Sequence, residues 1–459
     1  MNKHYHLIGI GGIGMSAIAQ ILLRRGFKVS GSDLKESKAT MGLARAGAQI
    51  FIGHKSANVT DAQVVVYSSA IKEDNPEISQ ARKEGLPLLK RAEALARLMQ
   101  GKSVIAVAGS HGKTTTTSLV SCLLLEAGLF PTVAAGGIIK NIDNNACFGR
   151  GEFFVAEADE SDGSFLHYLP KYSIITNIDR EHLDYYREFK NEVEAFRKFI
   201  AGTNKDGCVF YCSDDANLKN IMAGYKNRAV SFGLDAAAQI HPEHIVLQGL
   251  SCEFDCYRGD KFIERFTLSL GGRHNICNSL AVIALGLELG IDLGLIKNAL
   301  KGYRGCRRRL EVKFSSMGIS VVDDYAHHPT EIKATILAAK NLPHQRAIGV
   351  FQPHRYSRTR MLFGEFCESF DSLDCLIITD IYPAGELPEE GVDAQQLCRQ
   401  IKKRKKSAPG EVYFVPREEL AGYVSAFKRE GDLILTLGAG DITKVCDELV
   451  ERIKRQGKS

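Results

Sequence analysis

The sequence predicts an α/β protein built from three successive blocks. Short apolar, β-branched runs that read as strands alternate with longer helix-like segments. One strand after another runs out into glycines or clustered polar residues, the pattern of a parallel sheet with its site at the carboxyl edge. A chain of 459 residues has room for about three domains with their own cores.

Composition narrows the class. Hydrophobic residues make up 44% and charged residues 25%, ordinary values for a globular protein. A net charge of +5 is compatible with anionic small molecules. It does not mark a nucleic-acid binder, whose basic residues would cluster. The one dense basic run, Lys402 to Lys406, adjoins Ser407–Ala408–Pro409–Gly410 and reads as a solvated helix end. The 12 cysteines include two CxxxC spacings, Cys208/Cys212 and Cys252/Cys256, and no paired CxxC zinc pattern. Their strand-like surroundings place most of them in the core, as reduced thiols. The start of the chain reads as strand and glycine loop, and no apolar run approaches the roughly 20 residues of a membrane span. A cytoplasmic protein without membrane insertion is expected.

Block one, residues 1–98, opens with a strand over 5–10, glycines in GxGxxG spacing (Gly9, Gly11, Gly14, with Gly12 between), and a helix over 15–25. A strand over 27–30 leads to Asp33. This is a βαβ start with an acidic residue about twenty positions on, the fingerprint of a Rossmann-like domain that seats a diphosphate at a helix N-terminus. Dinucleotides and nucleotide sugars both satisfy it. Further strands are expected over 48–52 and 64–67.

Block two, residues 99–309, is expected to be a central P-loop ATPase-type domain with a mostly parallel sheet. A strand over 103–108 runs into Gly109, Ser110, His111, Gly112, Lys113, Thr114 and Thr115, then a helix. Backbone N–H groups at such a helix start cradle phosphates. Lys113 adds a mobile positive charge, and the Thr114 hydroxyl can ligate Mg²⁺. The usual first glycine is replaced by Val107, so the motif is a shortened GxxGKT. A strand over 153–156 leads to Glu157, Asp159, Glu160 and Asp162. Carboxylates so crowded call for cations or solvent, and a strand-end carboxylate in a phosphate-loop protein holds Mg²⁺. A strand over 172–176 leads to His182, flanked by acids and suited to a metal or a phosphate. Asn275 and Asn278 lie three apart on one helix face. They suit nucleotide edges and equally an ordinary N-terminal cap.

Block three, residues 310–459, reads as a Rossmann-like C-terminal domain beginning beside Arg307, Arg308 and Arg309. A strand over 319–322 leads to Asp323, Asp324, Tyr325, Ala326, His327 and His328. A strand over 347–351 leads to His354, Arg355 and Arg358, where arginines three apart can grip a carboxylate or phosphate. Strands over 375–379 and 433–437 follow the same plan.

Taken together, GIGGIGMSAIA, GSHGKTTT, EADESD, NIDREHLD, GRHNICNS, RRRLE, DDYAHHPTEI and FQPHRYSRT resemble the Mur ligase family, in family order and across essentially the whole chain. The resemblance implies an amide-forming ligase that uses ATP and Mg²⁺. Its closest branch joins L-alanine to the lactyl carboxylate of UDP-N-acetylmuramate through an acyl phosphate, in the synthesis of peptidoglycan precursors. By resemblance, Gly109 to Thr115 hold the ATP phosphates, and Lys113, Glu157 and His182 are catalytic. Thr114 and Glu157 are Mg²⁺ ligands, and His182 holds a second Mg²⁺. Asn275 and Asn278 face the base, Asp324 faces the ribose, and Arg309 is a further ATP contact. Tyr325, His327, His354, Arg355 and Arg358 hold the incoming alanine. Gly9, Gly11, Gly12, Gly14, Asp33, Ser68 and Ser69 hold UDP, and a monomer or homodimer is expected.

Several family members bridge two metals with a carbamylated lysine. That position falls on Phe196 or Arg197 here, two residues or less from Lys198, so a bridging carbamate is not expected. PHRYSRT and GIGGIGM match the alanine branch rather than the recycling branch, which attaches a tripeptide to the same sugar nucleotide. Folylpolyglutamate synthetase is a more distant relative. A nicotinamide-dependent oxidoreductase leaves the GKT loop and the carboxylates idle. A nucleotide-gated binding protein is distinguished by phosphate release.

Overall fold

The computed structural model describes residues 3–68, 70–404 and 409–456. Of the positions named above, Ser69 and the Lys405–Ala408 stretch lie outside the described residues. The chain packs as two compact units, one of residues 1–243, 256–264 and 277–304, the other of 244–255, 265–276 and 305–459.

The first unit begins with five strands: β1 His4–Ile8, β2 Lys28–Asp33, β3 Gln49–Ile52, β4 Val64–Tyr67 and β5 Leu88–Lys90. Their order is β3-β2-β1-β4-β5, all parallel. The strand expected over 5–10 stops at Ile8, because the N–H groups of Gly9 and Ile10 both turn to the Ser32 carbonyl. β2 runs three residues past the expected end, since Ser30–Ser32 pairs with both β1 and β3 and Asp33 with β3.

Ten strands follow: β6 Ser103–Ala108, β7 Thr132–Ile139, β8 Asn144–Cys147, β9 Phe153–Glu157, β10 Tyr172–Ile175, β11 Cys208–Cys212, β12 Ala229–Phe232, β13 Ile240–Gln248, β14 Ser251–Arg258 and β15 Lys261–Leu268. Their order is β15-β14-β13-β12-β11-β10-β6-β9-β7-β8. β6 is interior, parallel to β9 on one side and β10 on the other. Val104 to Ala108 are buried, which explains the unbroken apolar run. The helix Lys113–Glu126 that follows is buried from Thr114 to Leu124, so its sequence carries no polar stripe.

The six strands of the third sheet are β16 Glu311–Ser316, β17 Ile319–Asp324, β18 Arg346–Phe351, β19 Cys375–Ile378, β20 Glu411–Phe414 and β21 Asp432–Leu437. Their order is β16-β17-β21-β18-β19-β20, parallel except for the β16–β17 pair. The helix Ile442–Gln456 buries Ile442, Val445, Cys446, Leu449, Val450 and Ile453 against this sheet, an amphipathic stripe at helical spacing. The cysteines are free, and all but Cys147 and Cys277 are buried. Among the described residues no helix is long and apolar enough to cross a membrane.

Candidate active site

The turn between β6 and the helix Lys113–Glu126 requires glycine at two positions. Gly109 has φ +133° and Gly112 φ +80°. A Cβ on Gly109 would lie 2.0 Å from Thr176 Oγ1, and one on Gly112 2.7 Å from Asn278 Oδ1. Neighbouring strand ends hold the turn. Asn177 Oδ1 accepts from His111 N at 2.8 Å, Ser110 Oγ accepts from Asp179 N at 2.8 Å, and His111 Nε2 stands 3.0 Å from Asp179 Oδ2.

Lys113 lies back over this turn. Its Nζ donates to Gly109 O at 2.6 Å, Ser110 O at 3.0 Å and Glu160 Oε1 at 2.8 Å. Burial alone would lower the pKa of the ammonium, but the carboxylates of Glu160 and Asp159 outweigh it and hold the lysine charged. Glu160 is fully buried, and its Oε2 has no hydrogen-bond partner among the described residues. His182, in the left-handed region at φ +53°, places Nε2 3.5 Å from Glu160 Oε1 and 3.3 Å from Glu181 Oε2. Burial lowers its pKa, and the bond to Glu160 with the charge of Glu181 reverses that, so it stands above the ordinary histidine value.

Thr114 and Glu157 meet: Thr114 Oγ1 donates to Glu157 Oε1 at 3.1 Å, while Glu157 Oε2 accepts from Gly136 N at 2.8 Å. A Cβ on Gly136 would stand 2.5 Å from Glu157 Oε2, and one on Gly137 2.9 Å from Thr114 Cγ2. A hydroxyl and carboxylates, with one buried carboxylate oxygen left unpartnered, are the hard donor set that Mg²⁺ takes. Thr115 is buried in the first helical turn. Phe196 is in the core, edge-on to Phe165 at 5.4 Å, whereas Arg197 and Lys198 are exposed. Neither of the two positions aligned with the carbamylated lysine offers a buried amine.

The glycine turn of the first sheet is closed from within. Gly12 N donates to Gly9 O at 3.1 Å, and Gly12 caps the helix Ile13–Arg24. Asp33 Oδ2 accepts from Gly11 N at 2.9 Å, so this carboxylate braces the turn itself. Ser68 lies across the turn, with its Cβ 3.8 Å from where a Cβ on Gly9 would be. Arg91 lies against Gly14 and donates to Asp159 Oδ2 at 2.8 Å, a link from the first sheet's region to the acid loop after β9. Sequence reasoning missed Arg91, and it named Glu160 in the acid cluster without a site role.

In the second unit, β17 ends at Asp324, whose carboxylate accepts from Leu310 N at 2.6 Å and Ala326 N at 2.8 Å. Burial pushes its pKa up to about 6 against the pull of Arg309 and those donors. The guanidinium of Arg309 stands 5.1 Å from the Tyr325 ring centroid. A chain of rings follows: Tyr325 to His327 at 5.4 Å, His327 to His354 at 5.7 Å, and His354 stacked on Tyr382 at 5.6 Å. Arg358 Nη1 is 3.2 Å from His354 Nδ1. Arg355, at φ +70°, donates its N–H to Tyr382 O at 2.8 Å and faces Glu386 at 3.7 Å. The five residues expected to hold an amino acid are thus assembled, together with Tyr382, which sequence reasoning missed. Its only signal was a place just past the end of β19. Asn275 donates its amide to Gly271 O at 2.7 Å, closing the start of the helix Arg273–Glu288, whereas Asn278 abuts Gly112.

A glycine-turn sheet, a larger sheet with a phosphate loop after an interior strand, and a third, mostly parallel sheet define a multidomain nucleotide-binding α/β protein. Three family models match in succession: "Mur ligase family, catalytic domain" over residues 4–103, "Mur ligase middle domain" over 107–286 and "Mur ligase, glutamate ligase domain" over 308–440. The chain is 45% identical to UDP-N-acetylmuramate–L-alanine ligase of Syntrophus aciditrophicus, with 98% of this chain and 94% of that one covered. It is 46% identical to the protein of the same name from Aquifex aeolicus, with 98% of each covered. Among solved structures, the UDP-N-acetylmuramate–alanine ligase of Thermotoga maritima superposes with a TM-score of 0.85 at 31% identity, covering 99% of each chain. This chain belongs to the Mur ligase family.

Proposed function

We propose that this protein joins L-alanine to the lactyl carboxylate of UDP-N-acetylmuramate, converting ATP to ADP and phosphate, in the synthesis of peptidoglycan precursors. Identity of 45–46% over nearly the whole chain to relatives named for that reaction supports it. The observation that carries the chemistry is Lys113 held charged over the glycine turn, beside the Thr114–Glu157 pair.

The N–H groups of the Gly109–Thr115 turn orient the triphosphate, and Lys113 balances charge that builds on the transferring phosphoryl oxygens. Thr114 and Glu157 would hold Mg²⁺ and His182 a second ion, and such ions would supply charge neutralisation at the phosphates. The sugar's carboxylate oxygen attacks the γ-phosphorus, and the bond to ADP breaks. The alanine amine then attacks the acyl carbon, and phosphate leaves. Tyr325, His327, His354, Arg355 and Arg358 hold the amino acid, the arginines through its carboxylate. Asn275, Asn278, Arg309 and Asp324 hold the nucleoside, and Gly9, Gly11, Gly12, Gly14 and Ser68 seat the UDP diphosphate, with Asp33 bracing that turn. The protein works in the cytoplasm as a monomer or homodimer, in domains 1–98, 99–309 and 310–459.

The test is ADP release with UDP-N-acetylmuramate and ATP against L-alanine, L-serine, glycine and the recycling tripeptide. Release with L-alanine is expected. Product from the tripeptide alone would place the protein in the recycling branch.

A further inference from the structure

The first unit carries a second group of metal-ligating side chains, which the proposed reaction does not use. Cys212 closes β11 and is buried, and Cys277 is the fifth residue of the helix Arg273–Glu288. Their sulfurs are 3.5 Å apart. A carboxylate oxygen of Asp214 and the two sulfurs all lie within 4.8 Å of one another, and Asp214 is exposed, so the cluster opens to solvent.

The donor set selects its ion. Two sulfurs and one carboxylate suit a thiophilic cation and are poor ligands for Mg²⁺, which takes oxygen. With Zn–S bonds of about 2.3 Å, sulfurs 3.5 Å apart that share one ion subtend about 100°, near the tetrahedral angle. A disulfide needs about 2.05 Å, so the sulfurs stand apart by far more than that bond allows. The carboxylate is already oriented: Asp214 Oδ2 accepts from Leu234 N at 2.7 Å and Oδ1 from Asp235 N at 3.2 Å. Three groups that each carry negative charge when ligating are held together, and a cation relieves their repulsion.

We propose that Cys212, Cys277 and Asp214 form a binding site for one thiophilic divalent cation of the zinc class, completed by water. The site stands one residue from Asn278, the side chain that abuts Gly112 of the phosphate turn.

The test uses the full chain, reduced and metal-free, with Cd²⁺ as a probe followed by thiolate charge-transfer absorption and Zn²⁺ titrated against a chromophoric chelator. One equivalent is expected to bind. The signal is lost in the double variant Cys212→Ser/Cys277→Ser and weakens at least tenfold in Asp214→Asn, and excess Mg²⁺ does not displace the ion. Zn²⁺ also slows alkylation of Cys212 and Cys277 in the unaltered protein, read by peptide mass, which needs no variant to fold. Equal binding by the folded double variant, or alkylation rates indifferent to Zn²⁺, would overturn the site. Loss of two hydrogens to glutathione disulfide without any Cd²⁺ signal would overturn it in favour of a redox pair.

Discussion

Lys113 does not stand waiting in solvent: two turn carbonyls and the buried Glu160 carboxylate hold it. A charge so positioned acts on the transition state at little reorganisation cost. Lys113→Ala is expected to lower turnover by about 10²-fold or more while calorimetry still shows UDP-N-acetylmuramate bound, since charge stabilisation is commonly of that size. Activity above about a tenth of normal would remove Lys113 from the phosphate role. Arg355→Ala is expected to raise the KM for alanine far more than the KM for ATP, and initial-rate kinetics with each substrate varied in turn check this. The residue scale is also where local pattern was least informative. Asp33 was expected at a ligand, and in the structure its carboxylate also accepts from Gly11 N, a contact the pattern did not foretell. Tyr382 stacks on His354 although the two follow different strands, β19 and β18.

At the scale of elements, the turn after β6 joins a fully buried strand to a buried helix. Gly109→Ala puts a methyl group on Thr176 in a backbone region that favours glycine. It is expected to destabilise by on the order of 1–3 kcal/mol and to abolish ATP binding, read by thermal melting and nucleotide titration. The start of the helix Arg273–Glu288 carries a pH dependence. Burial drives the His274 pKa down to about 4, with Glu331 opposing and Arg309 adding to the shift. The folded state therefore favours neutral His274. Its contribution to stability is complete above the unfolded value near 6.5 and is lost as pH falls toward 4. His274→Asn is expected to melt with a shallower decline between pH 6.5 and 4.5, by roughly 2–4 °C. Parallel declines would refute the assignment. Each strand expected from the sequence is present, and the runs over 64–67 and 103–108 are β4 and β6 residue for residue, but strands such as β7, β8 and β11 to β15 were not anticipated. Strand ends were less legible, because β1 stops where Gly9 and Ile10 turn to Ser32, a partner on another strand.

For the whole molecule, the chemistry ties ATP, sugar nucleotide and amino acid into one sequence of steps. Removing divalent cations with a chelator is expected to stop ADP release, and added Mg²⁺ to restore it. Rapid acid quench is expected to find phosphate only when both co-substrates are present. Steady phosphate release from ATP alone would speak for an uncoupled ATPase. The ion pair of Arg91 with Asp159 joins the region of the Gly9–Gly14 turn to the acid loop beside Lys113, which lies within the field of the same carboxylate.

Sequence alone determined the α/β class, the succession of three blocks, the phosphate turn and the polar clusters at strand ends. Each of these is local, set by the alternation of apolar runs with glycine and by residue types adjacent in the chain. Only the tertiary structure decided which partners those residues meet. Glu160 reaches Lys113 because β9 lies beside β6 with Val107 opposite Glu157. His182 reaches Glu160 because β10 flanks β6 on the other side. Sheet order and register bring side chains together across tens of residues, and no short-range pattern records them.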